Sequence, residues 1–237
     1  MTKNNNNEID EDVEEVLDER INLADWEPKT DLGRRVKNGE FANISEVLRC
    51  PQPIREVEII DYFLPNLREE IIDVTRVQRV TDSGRRMKFR VVTAVGNGDG
   101  FIGVGKAKGK EAGQTIRKSI ERAKLNLKEI KRGCGSWECG CGEPHSVPFK
   151  VFGKCGSVRV TLKPAPKGTG LVSGEIAKKI LDLAGIKDVY THTEGHTRTS
   201  INFAFAVLDA LDNTNRIKLK DSHIKELGII TGFVEAD

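Results

Sequence analysis

Long hydrophobic runs are missing from this 237-residue chain: nothing approaches the roughly 18 consecutive apolar residues that a membrane-spanning helix needs. The N-terminus, Met-Thr-Lys-Asn-Asn-Asn-Asn-Glu, lacks the apolar core of an export signal. Aromatic residues are scarce at 5%, with two Trp and two Tyr. Neither sign of charge dominates, since 38 Lys+Arg stand against 36 Asp+Glu for a net charge of +2. Five cysteines without an export signal point to reduced thiols or metal ligands, not to a disulfide framework. These absences set the expectation of a cytoplasmic protein, away from membranes, long enough for two modest domains plus a tail. A charged fraction of 31% suits surfaces that meet a charged polymer, although the same figure fits a soluble enzyme.

Catalytic signatures are missing too. Gly100-Phe-Ile-Gly-Val-Gly-Lys106 has the spacing of a phosphate-binding loop, but Ala107 stands where Ser or Thr must reach magnesium, and a strand is expected through it. Ser157 and Ser173 sit in no nucleophile motif, and no convincing carboxylate pair is visible. His192, Glu194 and His196 suggest a metal trio, which is set aside on the expectation that a strand places His and Glu on opposite faces. No internal repeat appears.

What the chain does have is concentrated positive charge. Arg76 to Arg132 carries 16 Lys/Arg against 5 Asp/Glu. A patch of this kind gains affinity for nucleic acid because each neutralised phosphate releases condensed counterions. Its pattern predicts strands over Val74–Val80, Met87–Val95 and Phe101–Gly105, with turns at Thr81–Arg86 and Gly96–Gly100. Ala112, Ile116, Ile120, Ala123, Leu127 and Ile130 then recur at helical spacing as one apolar stripe. Lys110, Arg117, Lys118, Lys124, Lys128 and Lys131 fall mostly off that stripe, where they offer cations or form an ordinary solvated face.

Elsewhere, residues 1 to about 25 are Asn-rich and then acidic, and are expected to be a flexible lead. Residues 26–72 hold more apolar side chains, with a short helix over Asn43–Leu48 ended by Pro51 and Pro53, and read as an extension that packs on the body or a neighbour. After residue 148, strands are expected at Val147–Val151, Ser157–Leu162 and Val189–Thr193, with helices over Gly174–Gly185 and Ser200–Leu211 and a basic turn at Lys163–Gly170. That order, β-β-α-β-α, implies an α+β sandwich with helices on one sheet face. The division expected is 1–58 extension, 59–132 first domain, 133–148 Gly/Cys-rich connector, 149–212 second domain and 213–237 tail.

Cys134-Gly-Ser-Trp-Glu-Cys139-Gly-Cys141-Gly-Glu-Pro-His145 puts three thiols and an imidazole within twelve residues. Tetrahedral zinc takes four such ligands. The spacing is not a pair of C-x-x-C hooks, so packed thiols stay open beside a structural Zn2+ site. Cys155 is expected to be a small core residue or a fourth ligand, and Cys50, before a proline, to be inert.

The unit Met87–Gly105 with its basic helix, and above all Gly153-Lys-Cys-Gly-Ser-Val-Arg-Val-Thr-Leu-Lys-Pro-Ala-Pro-Lys-Gly-Thr-Gly-Leu-Val172, closely resembles the universal small-subunit ribosomal protein number five family. Leu183-Ala-Gly-Ile-Lys-Asp-Val-Tyr-Thr-His-Thr-Glu-Gly-His-Thr-Arg-Thr199 extends the resemblance, which covers Ile59 to Leu211, and the N-terminal extension and Pro144-His-Ser146 resemble its archaeal and eukaryotic branch. The resemblance implies a double-stranded-RNA-binding-like βββα domain followed by a domain with a left-handed β-α-β crossover, against the usual hand. It implies a structural, non-enzymatic constituent of the small ribosomal subunit that supports decoding accuracy near the head–body junction and messenger RNA entry. The partners implied are small-subunit rRNA and small-subunit proteins four and eight. A non-ribosomal double-stranded-RNA-binding regulator is the alternative, and a zinc-dependent nucleic-acid enzyme the third reading.

Contacts to A-form RNA should fall on phosphates and sugars, since its base edges lie in a deep, narrow groove. The family's contact at the first turn falls here on Gly84, Arg85 and Arg86. Lys88, Arg90, Lys106, Lys108, Lys110, Lys163, Lys167 and Arg198 are the other candidates, with Arg clamping phosphate bidentately and Lys acting as a point charge. His196, Thr197 and Thr199 either join the RNA contact or cap the helix near Ser200.

Overall fold

A computed structural model describes residues 26–232. The acidic lead expected over residues 1–25 lies outside the described residues. The chain divides into two units, the first comprising described residues 26–93 with 105–126, the second 94–104 with 127–232.

The first unit begins with three short helices, α1 (Asp31–Lys37), α2 (Ile44–Arg49) and α3 (Glu58–Phe63). None is long enough to be stable alone, so packing must hold them. Trp26, Leu32, Val36, Val47 and Ile59 form a buried cluster, with Phe41, Ile54 and Phe63 against it. One carboxylate ties this cluster together: Glu56 accepts from Trp26 Nε1 (3.1 Å) and from the backbone N–H groups of Lys29 (2.9 Å) and Thr30 (2.5 Å). The stretch read as an extension thus has a core of its own.

Strands β1 (Arg68–Thr81), β2 (Gly84–Gly96) and β3 (Phe101–Gly109) follow, then α4 (Ala112–Leu125). β1 starts six residues before the expected Val74, because Glu69, Glu70 and Asp73 mask its strand character in sequence. The first turn is also tighter than expected: Thr81 Oγ1 donates to Gly84 O at 2.9 Å and Gly84 takes φ +115°, so Arg85 and Arg86 are strand residues of β2. The apolar stripe of α4 buries Ile116, Ile120 and Ala123, with the small polar residues Thr115 and Ser119 between them. Ser119 and Thr93 share a buried hydroxyl–hydroxyl bond of 2.9 Å. Gly105 lets α4 approach, since a Cβ there would lie 2.2 Å from Ser119 O. The glycines of the false phosphate loop serve close packing.

Leu127 and Ile130, placed on the helical stripe from sequence, are buried outside the helix, which ends at Leu125. Leu127–Glu129 is instead strand β4, antiparallel to β3. A periodicity of three and four continued by chance past Asn126, and strand pairing took those residues. The sheet order is β1-β2-β3-β4.

In the second unit, β6 (Val151–Cys155), β7 (Val158–Pro164), β8 (Leu171–Val172), α5 (Glu175–Leu183), β9 (Val189–Glu194) and α6 (Ser200–Asp212) build a four-stranded sheet of order β6-β7-β9-β8. β8 and β9 pair in parallel around α5, and the other pairs are antiparallel. Val147 and Pro148 are buried but not in a strand, and β8 was not expected. Alternate residues Val158, Val160 and Leu162 of β7 are buried, together with Ile180 and Leu181 of α5 and Phe203, Val207 and Leu211 of α6. Gly153 admits α6, since a Cβ there would lie 2.1 Å from Ala206 O and 2.3 Å from Ala210 N.

Residues 213–232, read as part of a tail, are structured. Helix α7 (Asp221–Leu227) is followed by β10 (Ile230–Thr231), which pairs antiparallel with β5 (Lys131–Arg132). Among the described residues no helix is long and apolar enough to cross a membrane.

Candidate nucleic-acid interface and metal centre

The far end of the β1–β2 hairpin has no core side. Every residue from Gln78 to Lys88 is exposed, including Val80 at 70% and Met87 at 54%. Gly84, Arg85, Arg86 and Lys88 therefore lie together on a projecting two-stranded ribbon. Arg90, nearer the sheet, is half-buried, and its Nε has no hydrogen-bond partner. Lys106, Lys108 and Lys110 are all exposed, the first two alternating along β3.

Several cations of the basic stretch are held by carboxylates or backbone carbonyls at half-buried or buried positions. Lys124 is half-buried between Asp61 (2.9 Å) and Glu69 (3.3 Å). Burial opposes its charge, but the two carboxylates outweigh it and hold the ammonium above its usual range, while burial pushes the Glu69 carboxyl up. Lys128 sits 3.8 Å from Asp212, and Lys131 Nζ donates to Ile217 O at 3.3 Å. Arg132 is buried, donates to Gly98 O and Gly232 O, and is lowered by desolvation against the pull of Asp99. Charge density alone had not separated these structural cations from the exposed ones.

In the second unit, Lys163, Lys167 and Arg198 lie at the surface, Lys163 and Lys167 with Glu143 beside the latter at 2.7 Å. β7 runs through Pro164, so Lys163 is a strand residue and not part of the following turn. The Lys167–Glu143 pair holds the lysine above and the carboxyl below its usual range. Thr199 stands at the N-cap of α6 but makes no side-chain cap bond, so the capping alternative for that residue is not realised. His192 and Glu194 share one face of β9, with Nε2–Oε1 at 3.4 Å. The expectation of opposite faces was an error, since residues two apart on a strand point the same way.

The cysteine segment folds into a knuckle. Ligand atoms of Cys134, Cys139, Cys141 and His145 all lie within 4.8 Å of one another. Cys139 Sγ and His145 Nε2 are 3.9 Å apart, close to the roughly 3.5 Å that tetrahedral Zn–S and Zn–N bonds would give. Cys155 is half-buried at the end of β6 and outside this group, as is Cys50. Burial pushes the Cys134 thiol up to about 11, whereas backbone N–H groups of Lys167 and Cys141 pull the Cys139 thiol down to about 6.

Asp188, which no motif singled out, completes the knuckle. His145 Nδ1–H donates to its Oδ2 at 2.9 Å, which leaves Nε2 facing the thiols. Metal-ligating histidines are commonly oriented by such a carboxylate. Nothing in the sequence marks Asp188, because its partner lies 43 residues away.

A mixed α+β chain whose positive charge is gathered on an exposed ribbon has the surface that a protein binding folded RNA needs. Comparison with known proteins makes this specific. Residues 67–131 match the N-terminal domain of ribosomal protein S5 and residues 153–224 its C-terminal domain. The small ribosomal subunit protein uS5 of Methanocaldococcus jannaschii is 53% identical, over 91% of this chain and 99% of the relative. That of Thermoplasma acidophilum is 50% identical over 89% and 95%, and that of Methanospirillum hungatei 56% over 83% and 96%. The chain belongs to the ribosomal protein S5 family. It is accordingly a structural constituent of the small ribosomal subunit in the cytoplasm. The relatives lend no support to a free regulator.

Proposed function

We propose that the chain grips small-subunit rRNA through the β1–β2 ribbon, with Arg85, Arg86 and Lys88 on phosphates and Gly84 allowing close approach. The observation that carries this is the ribbon's complete exposure from Gln78 to Lys88. These fourteen- and thirteen-residue strands run past their packed ends into an eleven-residue stretch with no core side, which has little reason to project unless a partner covers it. Lys106, Lys108 and Lys110 extend the grip along β3, and Arg90, Lys163, Lys167 and Arg198 are further contacts. The position is the head–body junction near messenger RNA entry, with small-subunit proteins four and eight as neighbours and decoding accuracy as the consequence. No catalytic step is involved. The double-stranded-RNA-binding-like use of β1–β3 with α4, the left-handed sense of β8-α5-β9 and the five-part domain division belong to the same reading.

The test is the salt dependence of rRNA association. Arg85→Ala with Arg86→Ala should weaken binding and flatten the log–log salt slope by about 1 for each phosphate no longer neutralised. An unchanged slope removes those two residues from the interface.

We also propose a structural zinc held by Cys134, Cys139, Cys141 and His145. Compact ligand spacing and the His145–Asp188 bond support it. Purified protein should contain about one zinc per chain, lost in Cys139→Ser and Cys141→Ser.

A further inference from the structure

The knuckle and the basic turn after β7 are tied together at four points, all within the second unit. The backbone N–H of Lys167 donates to Cys139 Sγ. Lys167 Nζ meets Glu143 Oε2 at 2.7 Å, and Ala165 N donates to the buried Ser146 Oγ at 3.3 Å. The fourth tie runs through Asp188. Its Oδ2 accepts a hydrogen bond from His145 Nδ1–H, while its Oδ1 accepts from Gly168 N at 3.0 Å and Gly170 N at 2.8 Å. Both glycines hold positive φ, +91° and +74°, which glycine reaches without steric cost but also leaves freely, so the hydrogen bonds to Asp188 select this conformation among several. Asp188 is only 4% exposed and has no solvent to replace these donors.

Two of the four ligand residues are thus one hydrogen bond, or one shared carboxylate, away from the backbone of the turn. We propose that metal in the knuckle sets the conformation of the 165–170 turn, with Asp188 as the positioning residue, so that Lys167, the one cation of this turn, is presented to rRNA only in the metal-bound chain. This rests on the zinc reading above. A bound metal fixes the thiolate of Cys139 as acceptor for Lys167 N–H and the ring plane of His145 against Asp188. Asp188 then has one orientation in which both glycine amides reach it. Without metal, only the bond to Asp188 and burial orient the His145 ring, the carboxylate is aimed less firmly, and three backbone anchors of the turn weaken together.

The turn also carries its own charge control. Glu143, from the knuckle, neutralises Lys167 in the free chain. A phosphate docking at Lys167 has to compete with that exposed carboxylate.

The experiment uses the full chain, with amide exchange read residue by residue by NMR and zinc measured in the same sample. Chelation should speed exchange at Gly168 and Gly170 about tenfold or more, leaving Ala204 and Val207 of α6 unchanged. Asp188→Asn should give the same local loss and also weaken zinc binding about 10- to 100-fold, which a merely structural aspartate would not do. If zinc is present at one per chain but exchange at Gly168 and Gly170 ignores its removal, this inference fails and the zinc reading stands. A loss of protection spread evenly through α6 also overturns it. If the folded chain binds no zinc, both fall, and the metal assay alone reports that.

Discussion

At the scale of single residues, the closest approaches give the clearest tests. Gly105→Ala and Gly153→Ala each drive a Cβ onto helix backbone at 2.2 Å and 2.1 Å. Neither helix can give way without unpacking, so each substitution should cost about 1–3 kcal/mol, read as a lower Tm. Gly113→Ala is the control, in helix α4 with nothing within 4 Å of the added Cβ, and should instead stabilise by up to about 1 kcal/mol. The sequence announced glycines around the strands but not which of them a helix would touch, because contact partners lie far along the chain. Asp188 was illegible for the same reason, while the cluster of Cys134, Cys139, Cys141 and His145 was legible because its members are close in sequence.

Among the elements, two carboxylate clamps organise the first unit. Glu56 gathers Trp26, Lys29 and Thr30; burial opposes its charge, but the hydrogen bonds it accepts prevail and hold its carboxyl below the usual value of 4.5. A depressed folded-state value means the stabilisation is complete above the unfolded value and lost as pH falls through the lower, folded one. Fluorescence of Trp26, read in a Trp137→Phe background, should therefore report loosening of α1–α3 only below about pH 4.5. Glu56→Gln should show the loosening already at neutral pH. The second clamp, Asp61 and Glu69 on Lys124, separates structure from binding. Lys124→Ala should lower Tm while leaving the salt slope of rRNA association unchanged, the reverse of the Arg85/Arg86 pair. Helical periodicity found α4 and its buried Ile116 and Ile120, but it overran into β4, since a strand residue and a helix-stripe residue can satisfy the same local spacing.

For the whole molecule, membership of the ribosomal protein S5 family accords with a chain whose positive charge is concentrated over Arg76–Arg132 while its net charge is only +2. Small subunits carrying wild-type chain should retain it through a high-salt wash, and subunits assembled with Arg85→Ala/Arg86→Ala should lose part of it, as measured by co-sedimentation. By itself the sequence determined the α+β class, the family, the concentration of charge over Arg76–Arg132 and the candidate metal ligands. Each of these depends on residue type and near-neighbour spacing. Only the tertiary structure decided which cations are exposed and which are bound to Asp61, Glu69 or Asp212. It alone decided that residues 221–231 form a helix and a strand, and that Asp188 links His145 to the Gly168–Gly170 turn. Those outcomes depend on burial and on partners many residues apart, and local spacing carries no record of either.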